Sequence, residues 1–160
     1  MATSSSSVIG VNLTRVDSTA QFPAGTMVNL NDGGQAMYVK STASALSTYS
    51  AVSIGQDGKA TMLLTANAEK SPRVGFAQVS IATSSYGWVV LGGQFLVNLA
   101  AQCASSVPLF TTSTAGVLDD ATITAGYVAG LISTTSISNA TAATAIGSTQ
   151  VRTQRYGGGA

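Results

Sequence analysis

The sequence predicts an all-β protein: a single compact β-sandwich or β-barrel-like domain of about eight or nine short strands, with little helix. Three observations predict this class. Short runs rich in Val, Ile, Tyr, Phe and other apolar residues recur along the chain. Turn residues separate these runs roughly every 8–12 residues, and no long segment repeats its apolar residues at helical spacing.

The N-terminal half of the domain carries four predicted strands, at residues 36–40, 49–54, 60–65 and 74–81. Each is rich in the β-branched, aromatic and other apolar residues that fit a pleated, half-buried surface. The segment from Gly55 to Lys59 joins the second and third strands. It contains Asp57-Gly58, which is typical of a tight hairpin turn, so Asp57 is interpreted as a turn residue.

The C-terminal half carries five more predicted strands, at residues 86–91, 94–99, 107–111, 123–134 and 150–153. The first of them follows a polar turn at residues 82–85. Two Ala-rich segments, residues 99–104 and 140–145, are predicted to form short helical turns, because Ala has the highest helix propensity.

The run from Tyr86 to Leu99, YGWVVLGGQFLVNL, contains the only Trp of the chain. Strand alternation places Tyr86 and Trp88 on one face and Gly87 on the other, and the neighbours on both faces are apolar. A strand between two covered layers has this pattern. Trp88, Tyr86 and Phe95 are therefore predicted to be core or subunit-interface anchors, and Gly87 is predicted to leave room beside a large neighbour.

A pair of glycines, Gly92 and Gly93, interrupts this apolar run. The pair is either a two-residue hairpin turn or a β-bulge that bends one long strand. A hairpin would fold the second half of the run back onto the first, whereas a bulge would let one strand continue.

The chain divides into an N-terminal arm at residues 1–21, a β-rich domain at residues 22–156 and a flexible tail at residues 157–160. The arm contains four consecutive Ser residues and has no Gly or Pro turn signal between Val11 and Pro23. Such a segment is expected to become ordered on a partner. The first ten residues, MATSSSSVIG, lack the basic and apolar regions of a secretory signal peptide, so synthesis in the cytoplasm is expected.

Charged residues make up only 8% of the chain, and the formal net charge is +1. Typical soluble domains carry about 25% charged residues. The seven basic and six acidic side chains form no run of either sign, so the sequence lacks the electrostatic footprint of a nucleic-acid or acidic-membrane binder. Other proteins are the predicted partners, with no nucleic acid and no membrane.

The residue types that catalysis needs are scarce. The chain has no His, which excludes Ser-His-Asp and Cys-His catalysis and imidazole metal sites. The single Cys103 lies among Ala residues and is predicted to be a small core residue. Asp119 and Asp120 are expected to point to opposite faces of an extended segment. We interpret them as a solvated turn, with a weak Ca²⁺ site as the alternative, and predict no enzyme activity and no cofactor.

Several segments, in their order along the chain, carry a resemblance to a known family. They are residues 74–79 (VGFAQV), 86–93 (YGWVVLGG), 97–104 (VNLAAQCA) and 109–121 (LFTTSTAGVLDDA). The predicted strand from Gly126 to Thr134 and a closing Ala-rich segment follow them. They resemble small tailed-bacteriophage virion proteins, the capsid decoration or cement proteins and the head-fibre-like proteins. The resemblance spans most of the chain from Ala36 to Thr153, and it favours a bulge at Gly92 and Gly93.

The resemblance implies a homotrimer that binds the outer surface of an icosahedral phage head and stabilises contacts between capsomers. The major capsid protein is then the partner, and the outer capsid surface of the virion is the location. Candidate capsid or subunit contacts are Arg15, Phe22, Arg152, Arg155 and Tyr156. The alternative is a head-mounted receptor- or glycan-binding appendage, in which exposed Tyr, Trp and Asn side chains hold sugars.

Overall fold

The computed structural model describes residues 11–68, 73–123 and 126–154, with the backbone alone at residues 149 and 150. Strand accounts for 50% of the structure and helix for 3%, which confirms the all-β prediction. The fold is one compact β domain that contains a closed five-stranded barrel and additional strands. Within the described ranges, no helix is long and apolar enough to cross a membrane.

Eleven strands and one short helix make up the described part of the chain. They are β1 (Val16–Asp17), β2 (Met27–Asn29), β3 (Gln35–Ser41), β4 (Ala51–Ile54), β5 (Lys59–Met62), α1 (Thr65–Ala68), β6 (Arg73–Ala77), β7 (Tyr86–Leu99), β8 (Pro108–Thr111), β9 (Leu118–Asp119), β10 (Tyr127–Ser133) and β11 (Thr141–Gln154). The strands missing from the sequence prediction are β1, β2 and β9, which have two or three residues each. The two strands predicted at 86–91 and 94–99 are the single strand β7.

The strand pairings close on themselves twice, and both circuits pass through β7. The N-terminal circuit consists of β3, β4, β5, β6 and the first half of β7. The C-terminal circuit consists of the second half of β7 with β8, β9, β10 and β11. β1 pairs with the start of β7, and β2 pairs with β3 at the end of the sheet.

Two hydrophobic cores lie on the two faces of β7. Val89 and Leu91 belong to the core of the N-terminal circuit, whereas Trp88, Val90 and Phe95 belong to a larger core that extends through the C-terminal circuit. None of these five side chains is more than 3% exposed. This confirms that both faces of the strand are covered, and it makes β7 the shared wall of the two circuits.

A β-bulge lets β7 pass from one circuit to the other. The pairing with β3 skips one residue of β7, because Ala36 pairs with Val90 but Gln35 pairs with Gly92. Gly93 follows with a φ of 101°, a conformation that residues with a Cβ rarely adopt. The strand then continues without reversing direction, which confirms the bulge and excludes the hairpin.

Asp32, in the loop between β2 and β3, stabilises this bulge through hydrogen bonds. One carboxylate oxygen accepts a hydrogen bond from the backbone N–H of Gly34 (2.9 Å), and the other accepts one from the N–H of Gln94 (3.3 Å). A Cβ placed on Gly93 would lie 3.0 Å from the same carboxylate. The carboxylate therefore fills the space beside Gly93 and ties the loop to the crossing point of β7.

The predicted hairpin between β4 and β5 is confirmed. Gly55 N–H donates to the Lys59 carbonyl oxygen (2.9 Å), and Gly58 has a φ of 72°. The Asp57 carboxylate accepts the Lys59 N–H (3.2 Å) and forms an ion pair with the Lys59 ammonium (2.7 Å). Asp57 is thus a turn residue, as its Asx-type hydrogen bond requires.

The two predicted helical turns are wrong. Residues 140–145 enter β11, where Thr141 to Ala145 pair with residues 95–99 of β7, and residues 101–102 form a turn after β7. The Ala side chains of β11 pack in the core, with Ala143 and Ala145 buried. Packing against β7 therefore overrides the helix propensity of Ala.

The described part of the predicted arm, residues 11–21, lies against the domain. Val11 and Leu13 are buried in the larger core, and Val16 and Asp17 pair with the first two residues of β7. Residues 1–10 lie outside the described residues, as does the predicted tail at 157–160.

Candidate functional site

A large apolar hollow lies on the outer side of the C-terminal circuit. It has a volume of about 600 Å³ and is lined by residues of β10, β11 and the segment that leads into β8, among them Pro108, Tyr127, Leu131, Ile132 and Ile146. No charged residue is among the described residues that line it. Such a surface can bind an apolar, uncharged group and, among the described residues, offers a charged group no ion-pair partner.

Two isoleucines of this hollow are unusually exposed for their size. Ile132 is 51% exposed and Ile146 is 52% exposed. They are directly opposite each other on β10 and β11, so they form one cross-strand pair. We call this surface, the Ile132–Ile146 pair with the hollow beside it, the C-terminal apolar face.

A bulge in β10 turns Ile132 outward. The pairing of β10 with β11 changes register between Ala129 and Leu131, and Gly130 between them has a φ of 85°. Val128 and Leu131 are both buried although they are three residues apart. Because a shift of one residue moves the following side chains to the other face, Ile132 lies on the solvent side.

Three further exposed apolar side chains lie on elements attached to the N-terminal circuit. They are Val16 (37% exposed), Phe22 (43%) and Met27 (43%), on β1, the β1–β2 loop and β2. We call these three residues the N-terminal apolar set. Together with Ile132 and Ile146, they are the large hydrophobic side chains that remain exposed in the described part of the chain.

Beneath Phe22 lies a cluster of aromatic rings. Phe22 packs edge-on against Tyr38 (5.4 Å between ring centroids) and Trp88 (5.5 Å), and Tyr86 stacks on Tyr38 (5.9 Å). Trp88 is buried and Tyr86 is half-buried, with the Lys40 ammonium 5.4 Å from its ring. Trp88 is thus a core residue, and Phe22 is the ring of this cluster that solvent reaches most.

Arg15, a predicted contact residue, belongs to a small polar network beside this cluster. Its guanidinium binds the Asp17 carboxylate (2.7 Å), which also accepts a hydrogen bond from the Tyr38 hydroxyl (2.8 Å). Burial alone would raise the pKa of Asp17, but the hydrogen bonds from Arg15 and Tyr38 outweigh it and lower that pKa. The Arg15 side chain remains 60% exposed, so its outer surface is open to a partner.

The other predicted residues are placed as follows. Phe95 is buried and stacks on Phe76, with ring centroids 4.2 Å apart, so it is a core residue like Trp88. Arg152 is exposed on β11. Arg155 and Tyr156 lie outside the described residues, so their predicted role as contacts stays a prediction.

The structure brings Cys103, Asp119 and Asp120 together. Their ligand atoms all lie within 4.8 Å of one another, so the expectation that the two carboxylates point apart is wrong. The reason is that β9 ends at Asp119, and strand alternation no longer applies to Asp120. Both carboxylates are half-buried rather than fully solvated.

Hydrogen bonds within the chain already use this cluster. Asp120 accepts the Ala104 N–H (3.0 Å), and Asp119 accepts the Asp120 N–H (2.9 Å). Burial raises the pKa of Asp119, and burial together with both carboxylates raises the pKa of the Cys103 thiol to about 11. The three ligand groups of this cluster fall short of the roughly 6–8 oxygen ligands that Ca²⁺ takes. The Cys103 thiol, with its raised pKa, is a poor nucleophile.

No family model matches the chain, and no curated protein matches it either.

The sequence contains only weak signals for the two groups of exposed apolar side chains. Ile132 lies in a predicted strand and Ile146 does not, and no local pattern indicates that both face outward. The two apolar surfaces are therefore features that only the fold brings out.

Proposed function

We propose that this protein is a structural virion protein, which binds the outer surface of an icosahedral phage head as a homotrimer and stabilises contacts between capsomers. The major capsid protein is its partner. The order of the strand segments from Val74 to Thr134 supports this proposal through the resemblance to phage decoration proteins.

The observation that carries the proposal is that the exposed large hydrophobic side chains fall into two separate groups. The N-terminal apolar set lies on β1, β2 and the loop between them, which are attached to one circuit, and the C-terminal apolar face lies on the other. A trimeric cement protein needs at least two contact surfaces, one for its own copies and one for the capsid. A contiguous exposed apolar patch such as the C-terminal apolar face marks a protein–protein contact.

The two-core fold suits a protein that acts by resisting deformation. β7 is packed on both faces, and its ends are held by pairing with β1 and β11. Contacts between such a rigid domain and two neighbouring capsomers must be broken before the capsomers can separate. A trimer makes three such contacts act together, since the second and third become intramolecular once the first has formed.

The proposal is tested with heads that lack the protein, prepared from the phage that encodes it. Purified protein should co-sediment with these heads and raise the temperature at which they release DNA. Met27→Glu, in the N-terminal apolar set, should weaken binding at least tenfold. Ser113→Glu adds the same charge at an exposed polar position between β8 and β9, away from both apolar groups, and should bind as the wild type does. Absence of wild-type binding, or binding without a higher release temperature, refutes the proposal.

A second candidate function is a head-mounted glycan-binding appendage, and the exposure of Phe22 favours it. An exposed ring can stack on a sugar, and Phe22 lies edge-on to Trp88. A glycan bound on Phe22 would therefore change the Trp88 fluorescence. Titration with a panel of host cell-surface glycans decides: the cement proposal expects no change, and a saturable change that Phe22→Ala abolishes would favour the appendage.

A further inference from the structure

The C-terminal apolar face has properties that restrict what can bind it. Its hollow of about 600 Å³ is larger than the 350 Å³ hollow beside Arg73 at the N-terminal circuit. The described residues around it are apolar or neutral, with Val107, Pro108 and Leu131 among them. Burying a charge against such a surface is costly, so the occupant must present an uncharged surface.

The same face also carries groups that project. Ile132 and Ile146 remain more than half exposed, and both border the hollow. The surface thus combines an apolar projection with an apolar depression. Another copy of this chain carries the matching projection and depression, and two copies that meet here bury no charged side chain of the described lining.

The size of the face indicates how copies would associate. Ten of the described residues line the hollow, whereas a stable standard-sized interface uses about 20–30 residues on each side. A single contact through this face would be weak. In a closed ring of three copies each subunit makes two contacts, which compensates for the small size of each one.

We propose that the C-terminal apolar face is the surface through which copies of this chain contact one another. The Ile132–Ile146 pair of one copy packs against the hollow beside the same pair in the next copy. The inference rests on the homotrimer of the proposed function and assigns its interface. It leaves the N-terminal apolar set for the capsid.

The first experiment measures the molar mass of the free protein, without heads, by light scattering and sedimentation over a range of concentrations. Wild-type protein should reach three times the mass of the 16.0 kDa monomer, and a dimer as the largest species would contradict the ring of three. The double variant Ile132→Thr/Ile146→Thr should associate at least tenfold more weakly, since Thr keeps the β-branched shape but removes apolar surface. The control Met27→Thr changes a similarly exposed residue on the other circuit and should associate as the wild type does.

A crosslinking experiment keeps the inference testable if the double variant folds poorly. Cys103 is buried, so a Cys introduced at residue 146 is the reactive thiol among the described residues. Ile146→Cys should form disulfide-linked dimers under mild oxidation, and Met27→Cys should not. A wild-type protein that is monomeric at all concentrations overturns the inference, and so does a double variant that assembles normally or crosslinking through Met27→Cys instead. Head binding by a monomer would refute this interface while leaving capsid attachment intact.

Discussion

Replacing Gly87 with Ala tests whether β7 is packed as tightly on both faces as the structure indicates. Gly87 lies near the start of β7 with ordinary strand geometry, and a Cβ added there would lie 2.6 Å from Ile81 Cδ1 and 3.0 Å from Ile81 Cγ1. Ile81 is fully buried. The large neighbour that the sequence predicted beside Gly87 is therefore Ile81, and the added methyl group has no room unless Ile81 moves.

Two terms of opposite sign determine the magnitude. Overpacking a close-packed core costs about 1–3 kcal/mol. Replacing Gly in a strand reduces the entropy of the unfolded chain and returns about 0.5–1 kcal/mol. We therefore expect Gly87→Ala to lower the free energy of unfolding by up to about 2.5 kcal/mol, and the melting temperature by up to roughly 10 °C for a domain of this size.

The assay is a double-mutant cycle measured by denaturant unfolding. Ile81→Val removes Cδ1, the atom that clashes most, and by itself should cost about 0.5–1.5 kcal/mol. In the Ile81→Val background, Gly87→Ala should cost about 1 kcal/mol less than it does in the wild type. If the two costs add within about 0.5 kcal/mol, the two residues are not in contact and the described packing of β7 is wrong.

Further predictions concern the larger core, the polar network and the two spectroscopic or chemical probes of burial. Phe95→Ala removes the ring stacked on Phe76 and should cost about 3–5 kcal/mol in denaturant unfolding; a cost below about 1 kcal/mol would place Phe95 outside the core. Because its folded pKa is lowered, Asp17 stabilises the protein above its ordinary pKa of 3.8, and this contribution is lost as the pH falls through the lowered value. Melting curves from pH 5 to pH 2 should therefore show a steeper acid loss in the wild type than in Asp17→Asn, and equal slopes would contradict the network. Trp88 fluorescence should be blue-shifted and poorly quenched by iodide, whereas strong quenching would indicate an exposed ring. Cys103, buried and with a raised pKa of about 11, should react with a thiol reagent at pH 8 only in denaturant, and rapid labelling of the native protein would refute its burial.

The parts of the fold that local patterns encode could be predicted from the sequence. The turn at Asp57-Gly58 has its own hydrogen-bond chemistry, and the apolar faces of the run around Trp88 are visible in its alternation. Both features depend only on residues close together in the chain, so the sequence is enough to predict them. The structure confirms both.

Features that depend on distant pairings could not be predicted. Ala143 and Ala145 have high helix propensity, and only their pairing with β7 makes this segment a strand that closes the C-terminal circuit. From Ala143 to Ile146 the residues are Ala, Thr, Ala and Ile. The largest apolar one, Ile146, is exposed, so apolar alternation in the sequence gives no usable signal there. The short strands β1 and β9 carry no signal at all, because two residues define no period.

The candidate surfaces were missed for a similar reason. Ile132 faces outward because the register shift at Gly130 reverses the alternation, and a shift of this kind depends on how β10 meets β11. The approach of Cys103 to Asp119 and Asp120 likewise needs the turn after β7 to lie beside the end of β9. Sequence alternation applied to these residues gives the wrong face at both places.

A cryo-EM map of the virion that contains this protein tests the central claim most directly. The account predicts trimeric density on the outer surface of the head, at three-fold or quasi-three-fold positions between capsomers. Within each trimer, Ile132 and Ile146 should lie at the contacts between copies, and Phe22 and Met27 should face the capsid. Density confined to the tail or the head interior, or monomers bound without neighbours, would contradict it.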